Sequence, residues 1–104
     1  MGLGSIIATN AGTIYGGSGT IYVTLTSPNF FADFRARLGY SSQDEIISVY
    51  MTTPTGETYS LGNILGNGSY TDTVSLGYAP AGTYSFTFVS AISTPFEVVA
   101  YIYD

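Results

Sequence analysis

The chain has 104 residues, 45% apolar, 15% aromatic and only 9% charged, with a formal net charge of −5. That length holds one domain with its own core and leaves no room for a catalytic domain beside a separate partner-binding one. Arg35 and Arg37 are the only basic residues, too few for the footprint a phosphate backbone requires, and the longest apolar runs fall far short of the ~20 residues that span a bilayer, so neither nucleic acid nor a membrane span is expected.

In chain order, Ser5 to Tyr15 carries β-branched and small residues, and Gly16-Gly17-Ser18-Gly19 has the composition of a flexible linker. Two arrangements suit this segment: a first strand joined to the second by a loose loop, or an arm on a glycine hinge (residues 1–19) that adds a strand to a neighbouring subunit at an open sheet edge. Residues 20–104 then form the domain proper. Thr20 to Leu25 sends Ile21, Val23 and Leu25 to one face and Tyr22 and Thr24 to the other. Phe30 to Tyr40 alternates Phe30, Ala32, Phe34, Ala36, Leu38 and Tyr40 against Phe31, Asp33, Arg35 and Arg37, which predicts a strand, with a short helix as the other reading.

Ile46 to Thr53 is β-branched, and Thr53-Pro54-Thr55-Gly56 suits a tight turn because Pro presets φ and Gly tolerates positive φ. A hairpin is therefore predicted between Ile47 and Leu61. Gly62 to Gly68 reads as a loop whose Ile64-Leu65 pair tucks back onto the core. Ser69 to Leu76 is read as a strand with Tyr70, Asp72, Val74 and Leu76 on one face. Thr83 to Ser90 supplies an inward row of Tyr84, Phe86 and Phe88, and Phe96 to Tyr103 places Phe96, Val98, Ala100 and Ile102 opposite Glu97, Val99, Tyr101 and Tyr103. Period-2 alternation, broken by Gly, Pro and Asn about every eight to twelve residues, predicts an all-β fold: a two-sheet antiparallel sandwich of about eight strands, jelly-roll-like.

The residue types bound the chemistry. With no His and no Cys, the commonest general base, the thiol nucleophile and the commonest transition-metal ligands are missing, and no Ser sits in a G-x-S-x-G elbow; no enzyme activity is expected. The seven acids are scattered singly except for Asp44-Glu45. A hard cation such as Ca²⁺ takes about six to eight oxygens. Asp33, Asp44, Glu45, Asn63, Asn67 and Asp72 are the candidates to supply them, with Asp44, Glu45 and Asp72 first among them; no other cofactor is expected.

Exposed Tyr serves sugar stacking and protein interfaces alike, and Tyr22, Tyr50, Tyr59, Tyr101 and Tyr103 are expected to face outward. The absence of Lys removes a common guard against edge-to-edge pairing of strands. Self-association is therefore expected, with Ile6, Ile7, Ala8, Ile14, Tyr15, Tyr101 and Tyr103 as the assembly surface, and carbohydrate remains an alternative partner. The acidic, charge-poor composition suits an extracellular or cell-surface protein. Met1-Gly2-Leu3-Gly4 lacks the basic start of a signal peptide, so the chain is expected to be mature or exported by another route.

The run from Ser48 to Leu61, with Thr53-Pro54-Thr55-Gly56 at its turn, and the run Pro80-Ala81-Gly82-Thr83-Tyr84-Ser85-Phe86-Thr87-Phe88 resemble the small jelly-roll modules at the ends of secreted bacterial peptidases, the pre-peptidase C-terminal and proprotein-convertase P-like families. The resemblance covers about half the chain. It implies a jelly-roll sandwich, an extracellular location, no activity of its own and, in some members, a bound calcium. Those modules accompany an enzyme, whereas this chain starts at Met1 and carries an extra N-terminal strand. The expectation therefore shifts from an enzyme accessory to a structural subunit of a fibre or coat; a viral or phage coat protein shares the same architecture.

Overall fold

In the computed structural model, which describes residues 3–104, the alternation of Ile21, Val23 and Leu25 becomes a strand whose three apolar side chains are buried. The same pattern repeats along the chain, so each strand has one core face and one outer face. Eight strands result: β1 (Ile6–Ile14), β2 (Ser18–Leu25), β3 (Ala32–Tyr40), β4 (Ile47–Thr52), β5 (Thr58–Ile64), β6 (Val74–Leu76), β7 (Gly82–Ser90) and β8 (Phe96–Tyr103). They form two four-stranded antiparallel sheets in the orders β1-β8-β3-β6 and β2-β7-β4-β5. Consecutive strands along most of the chain alternate between the sheets, which is the double Greek key of a jelly roll.

The inner faces interdigitate through Phe34, Ala36 and Leu38 of β3, Tyr84, Phe86 and Phe88 of β7, and Phe96, Val98, Ala100 and Ile102 of β8, all buried. Tyr84 keeps its polar end satisfied by donating its hydroxyl to the Pro80 carbonyl at 2.6 Å. At the corner where β1 meets β2 the sheets approach closely. A Cβ on Gly12 would stand 2.7 Å from Ile21 Cγ2, and one on Gly19 would stand 2.9 Å from Ile14 Cγ2. Near the two ends of the chain, Ser5 N–H donates to Asp104 Oδ1 at 2.7 Å and Asp104 N–H returns a bond to the Ser5 carbonyl at 3.0 Å.

The hairpin turn falls where Thr53-Pro54-Thr55-Gly56 places it. Gly56 has φ of 94°, its N–H donates to the Thr53 carbonyl, and Thr53 N–H donates to the Glu57 carbonyl. Elsewhere the structure departs from simple alternation, each time for a local reason. Phe30 and Phe31 lie outside β3, 74% and 77% exposed, because Asn29 and Ala79 pair main chain to main chain and carry the loop across the end of the sandwich. Phe30 packs on Tyr78 instead, ring centres 5.3 Å apart. A register shift between Leu38 and Tyr40 turns Tyr40 out to solvent.

Gly62 to Ile64 are strand rather than loop: Gly62, at φ 79°, absorbs a bulge opposite Val49 and Tyr50, and β5 continues to Ile64. Ile64 reaches the core as expected, but Leu65 is exposed. Ser69 to Thr73 do not form a regular strand. The Thr71 hydroxyl accepts from Ala36 N–H at 3.0 Å, so a buried side chain stands where a main-chain partner would, and regular pairing with β3 begins only at Val74. The segment read as a glycine hinge is built into the sandwich: Ser18 and Gly19 belong to β2, and Gly17 bonds through its N–H to Ile92 and through its carbonyl to Ser90 N–H.

Candidate functional site

Two features of the β1-β8-β3-β6 sheet stand out, its free edge and its outer face. The sheet orders leave four edge strands: β1, β6, β2 and β5. An edge is a row of unpaired N–H and C=O groups that folded proteins ordinarily blunt by shortness, charge, bulges or cover. Strand β6 has three residues. Strand β5 is bulged at Gly62, and Asp72 N–H donates to its Leu61 carbonyl. On β2 the Tyr22 carbonyl accepts from Asn10 Nδ2 at 2.9 Å.

Strand β1 differs. It is nine residues long, Ile-Ile-Ala-Thr-Asn-Ala-Gly-Thr-Ile, without a charge or a proline. After a bulge between Ile6 and Ala8, its pairing with β8 runs in register from Ala8↔Ile102 to Ile14↔Phe96. Past the bulge the pairing is unbroken, and no strand of the sheet lies on the far side of β1.

The residues expected at the assembly surface therefore separate. Ile6, Ile7 and Tyr15 are exposed on or beside β1, and Ala8 is half-buried against the core. Ile14 is not available to a partner: paired with Phe96, it points inward and is buried. Tyr101 and Tyr103 project from the outer face of β8. Tyr22 and Tyr50 are exposed as expected, whereas Tyr59 is half-buried and packs against the core.

On the outer face, cross-strand pairing sets Asp33, Arg35 and Arg37 of β3 opposite Tyr103, Tyr101 and Val99 of β8, while Tyr70 bridges to Arg37 from the other side. Arg35 Nε donates to Tyr103 Oη at 2.9 Å and Arg37 Nε donates to Tyr101 Oη at 3.1 Å. The Arg35 guanidinium also lies over the Tyr70 ring, 3.7 Å from its centre, and Tyr101 stacks on Tyr103 at 5.9 Å. Tyr103 is covered by this arrangement and only 5% exposed. The hydrogen bond that Arg37 donates to Tyr101 raises the Arg37 pKa above its ordinary value, so its charge is permanent. Both cations of the chain thus share one face, held by phenols.

Beside Arg37 lies a shallow groove of about 450 Å³. Two neighbouring cross-strand rows line it, Ala11–Val99–Arg37 and, one step along the strands, Thr13–Glu97 with Gly39 against Glu97.

Of the candidate calcium ligands, Asp44, Glu45 and Asn67 line one small pocket beside the β3–β4 loop, and Asp33, Asn63 and Asp72 lie outside it. Asp44 and Glu45 are exposed at the end of the sandwich that holds the β3–β4 loop, and Asp72 lies against Gly62. Asn67 uses both ends of its amide on Ser41, Asn63 Oδ1 accepts from Ser48, and Asp33 accepts from Ser75. Among the described residues no group of three or more Asp, Glu, His or Cys is placed to hold a metal ion. No helix among them is long and apolar enough to cross a membrane.

No family model and no curated protein sequence matches the chain. Solved structures do match in fold. The lipase BlEst2 of Bacillus licheniformis in its propeptide form aligns with 95% of this chain at TM-score 0.62 and 12% identity. The pre-peptidase C-terminal domain of collagenase from Bacillus anthracis aligns with 98% of this chain and 90% of its own, at TM-score 0.51 and 12% identity. A CBM32 module of AlyQ, solved in complex with 4,5-unsaturated mannuronic acid, aligns with 97% of this chain and 98% of its own, at TM-score 0.50 and 13% identity. The chain spans 22% of the lipase. At these identities the likeness is one of fold, and the resemblance read from the turn motifs extends to the whole sandwich.

The Arg35–Arg37–Tyr70 cluster was not among the sites read from the sequence. Its signal was present in part: two arginines spaced by two in a strand pattern must share a face. Tyr70 belongs to them only through the pairing of distant segments.

Proposed function

We propose that this protein is a non-catalytic structural subunit that assembles with copies of itself through the free edge of β1. The edge carries the reading: β1 is long, uncharged and in register with β8 from Ala8 to Ile14, whereas β6 is short, β5 is bulged, and β2, though also uncharged and in register, has its Tyr22 carbonyl taken by Asn10. Main-chain pairing along β1 of two copies extends the β1-β8-β3-β6 sheet across the contact without moving the rest of the fold. This is strand addition with β1 kept on its own β8 rather than released as an arm.

The two ends of the sandwich supply a second kind of contact. Phe30, Phe31 and Tyr78 are exposed at the end that holds the β2–β3 and β6–β7 loops, and Tyr15, Ile46 and Leu65 are exposed at the opposite end. Contact between unlike ends is heterologous, and with a rotation that does not close it extends as a fibre. The proposed setting is extracellular or at the cell surface, in keeping with the acidic, charge-poor composition.

The test is sedimentation and negative-stain microscopy of the wild type against an Ile6→Lys/Ile7→Lys variant, both positions being exposed on β1 and outside the groove beside Arg37. The wild type is expected to form concentration-dependent oligomers or filaments, and the variant to remain monomeric with an unchanged melting temperature. A wild type that stays monomeric at high concentration overturns the structural role. Normal assembly of the lysine variant overturns the β1 edge.

A further inference from the structure

The outer face of the β1-β8-β3-β6 sheet bears a polar pattern that edge pairing does not use. Tyr103 and Tyr101 already accept from the Arg35 and Arg37 Nε groups, which leaves their own O–H groups to donate. The Nη groups of both arginines make no hydrogen bond among the described residues. With Tyr103 covered, the Tyr101 phenol and the two guanidiniums are thus the donors open to oxygen acceptors, and the guanidinium fork matches a carboxylate.

The groove adjoining Arg37 continues this pattern with the opposite polarity in its next cross-strand row. Val99, Ala11 and the bare backbone of Gly39 give an apolar bed, and in that row Thr13 offers a hydroxyl and Glu97 an acceptor. A ligand that fills it carries a carboxylate at one point, C–H surface in the middle and hydroxyl donors at the other side. A carboxylated sugar ring has that arrangement. Phosphate polymers are disfavoured by Glu97, and an acidic peptide side chain brings no hydroxyl for Glu97 and Thr13 to hold. The groove volume is in the range of small-ligand sites.

From this we infer that the β1–β8–β3 face binds an acidic saccharide, with the Arg37 fork on the uronate carboxylate, the Tyr101 hydroxyl beside it, and Glu97 and Thr13 on the sugar hydroxyls. Self-assembly and saccharide binding use different groups, the main-chain edge of β1 for the first and outward side chains of β1, β8 and β3 for the second. The two therefore fail independently.

Isothermal titration of the full chain with a tetrasaccharide of 1,4-linked uronic acid is the direct test. Its controls are the same tetrasaccharide with carboxyls reduced to alcohols, and a polyglutamate peptide. The uronate is expected to bind, the reduced sugar and the peptide to bind at least about tenfold more weakly, and Arg37→Ala to weaken uronate binding about ten- to hundred-fold. Arg37→Lys, which keeps the charge and the stem, is expected to restore little, because the fork and not the charge alone holds the carboxylate. Uronate binding unchanged in a folded Arg37→Ala variant overturns the site. Polyglutamate binding as tight as the uronate overturns the saccharide and makes the face an acidic-peptide site.

Discussion

Asn10 Nδ2 donates to the Tyr22 carbonyl across 2.9 Å, so a side chain of β1 occupies a main-chain acceptor at the open edge of β2. The bond ties the first strands of the two sheets together at the corner where each has its free side. It also makes one edge safe while the strand that provides it stays open. Replacing Asn10 by Ala frees the Tyr22 carbonyl. The variant is expected to lose about 0.5–1.5 kcal/mol in urea unfolding and to assemble faster, now with two open edges. Light scattering at matched concentration measures the second effect, and a slower rate would contradict it.

The same corner predicts a size limit. Gly12 and Ile21 leave no room for a Cβ, which would lie 2.7 Å from Ile21 Cγ2. Gly12→Ala is expected to cost about 1–3 kcal/mol despite the better strand propensity of Ala. In an Ile21→Ala background, which removes the Cγ2 that a Cβ on Gly12 would meet, most of that added cost disappears. A double-mutant cycle in denaturant reads the coupling directly.

Tyr84 predicts an alkaline limit. Burial pushes its hydroxyl up to about 12 from an ordinary value near 10. Below pH 10 the group is protonated in both folded and unfolded chains and adds no pH dependence. Between pH 10 and about 12 the unfolded chain releases this proton and the folded chain retains it, so stability falls as pH rises. Tyr84→Phe removes that slope and also the bond to the Pro80 carbonyl, at a cost of about 1 kcal/mol at neutral pH. Unfolding midpoints of both proteins from pH 9 to 11.5 are expected to converge as pH rises; parallel lines would refute the assignment.

How far the fold was legible depended on where its information lay. Ile21, Val23 and Leu25, or Tyr84, Phe86 and Phe88, declare their buried face by alternation alone, and Pro54 and Gly56 declare their turn. The positions of Phe30, Leu65 and Tyr40 were set by pairings outside their own segments: the Asn29–Ala79 bridge, the end of β5 and the register shift beside Gly39. Thr71 imitates a main-chain acceptor with its hydroxyl, which no periodicity announces. The face that gathers Arg35, Arg37 and Tyr70 follows from strand order. That order pairs Asp33 with Tyr103, residues about two thirds of the chain apart.

The mutual bonds of Ser5 and Asp104 bring two positions from opposite ends of the numbering to a single point on the surface. A short linker can join them without crossing the molecule, and the β4–β5 hairpin at Thr55 and Gly56 is exposed and free to be cut. A circularly permuted chain opened there keeps all eight strands in their present order around the two sheets. It places new ends at the tip of a hairpin in the sheet that carries neither the β1 edge nor the arginine face, where a fluorophore or purification tag leaves both surfaces uncovered.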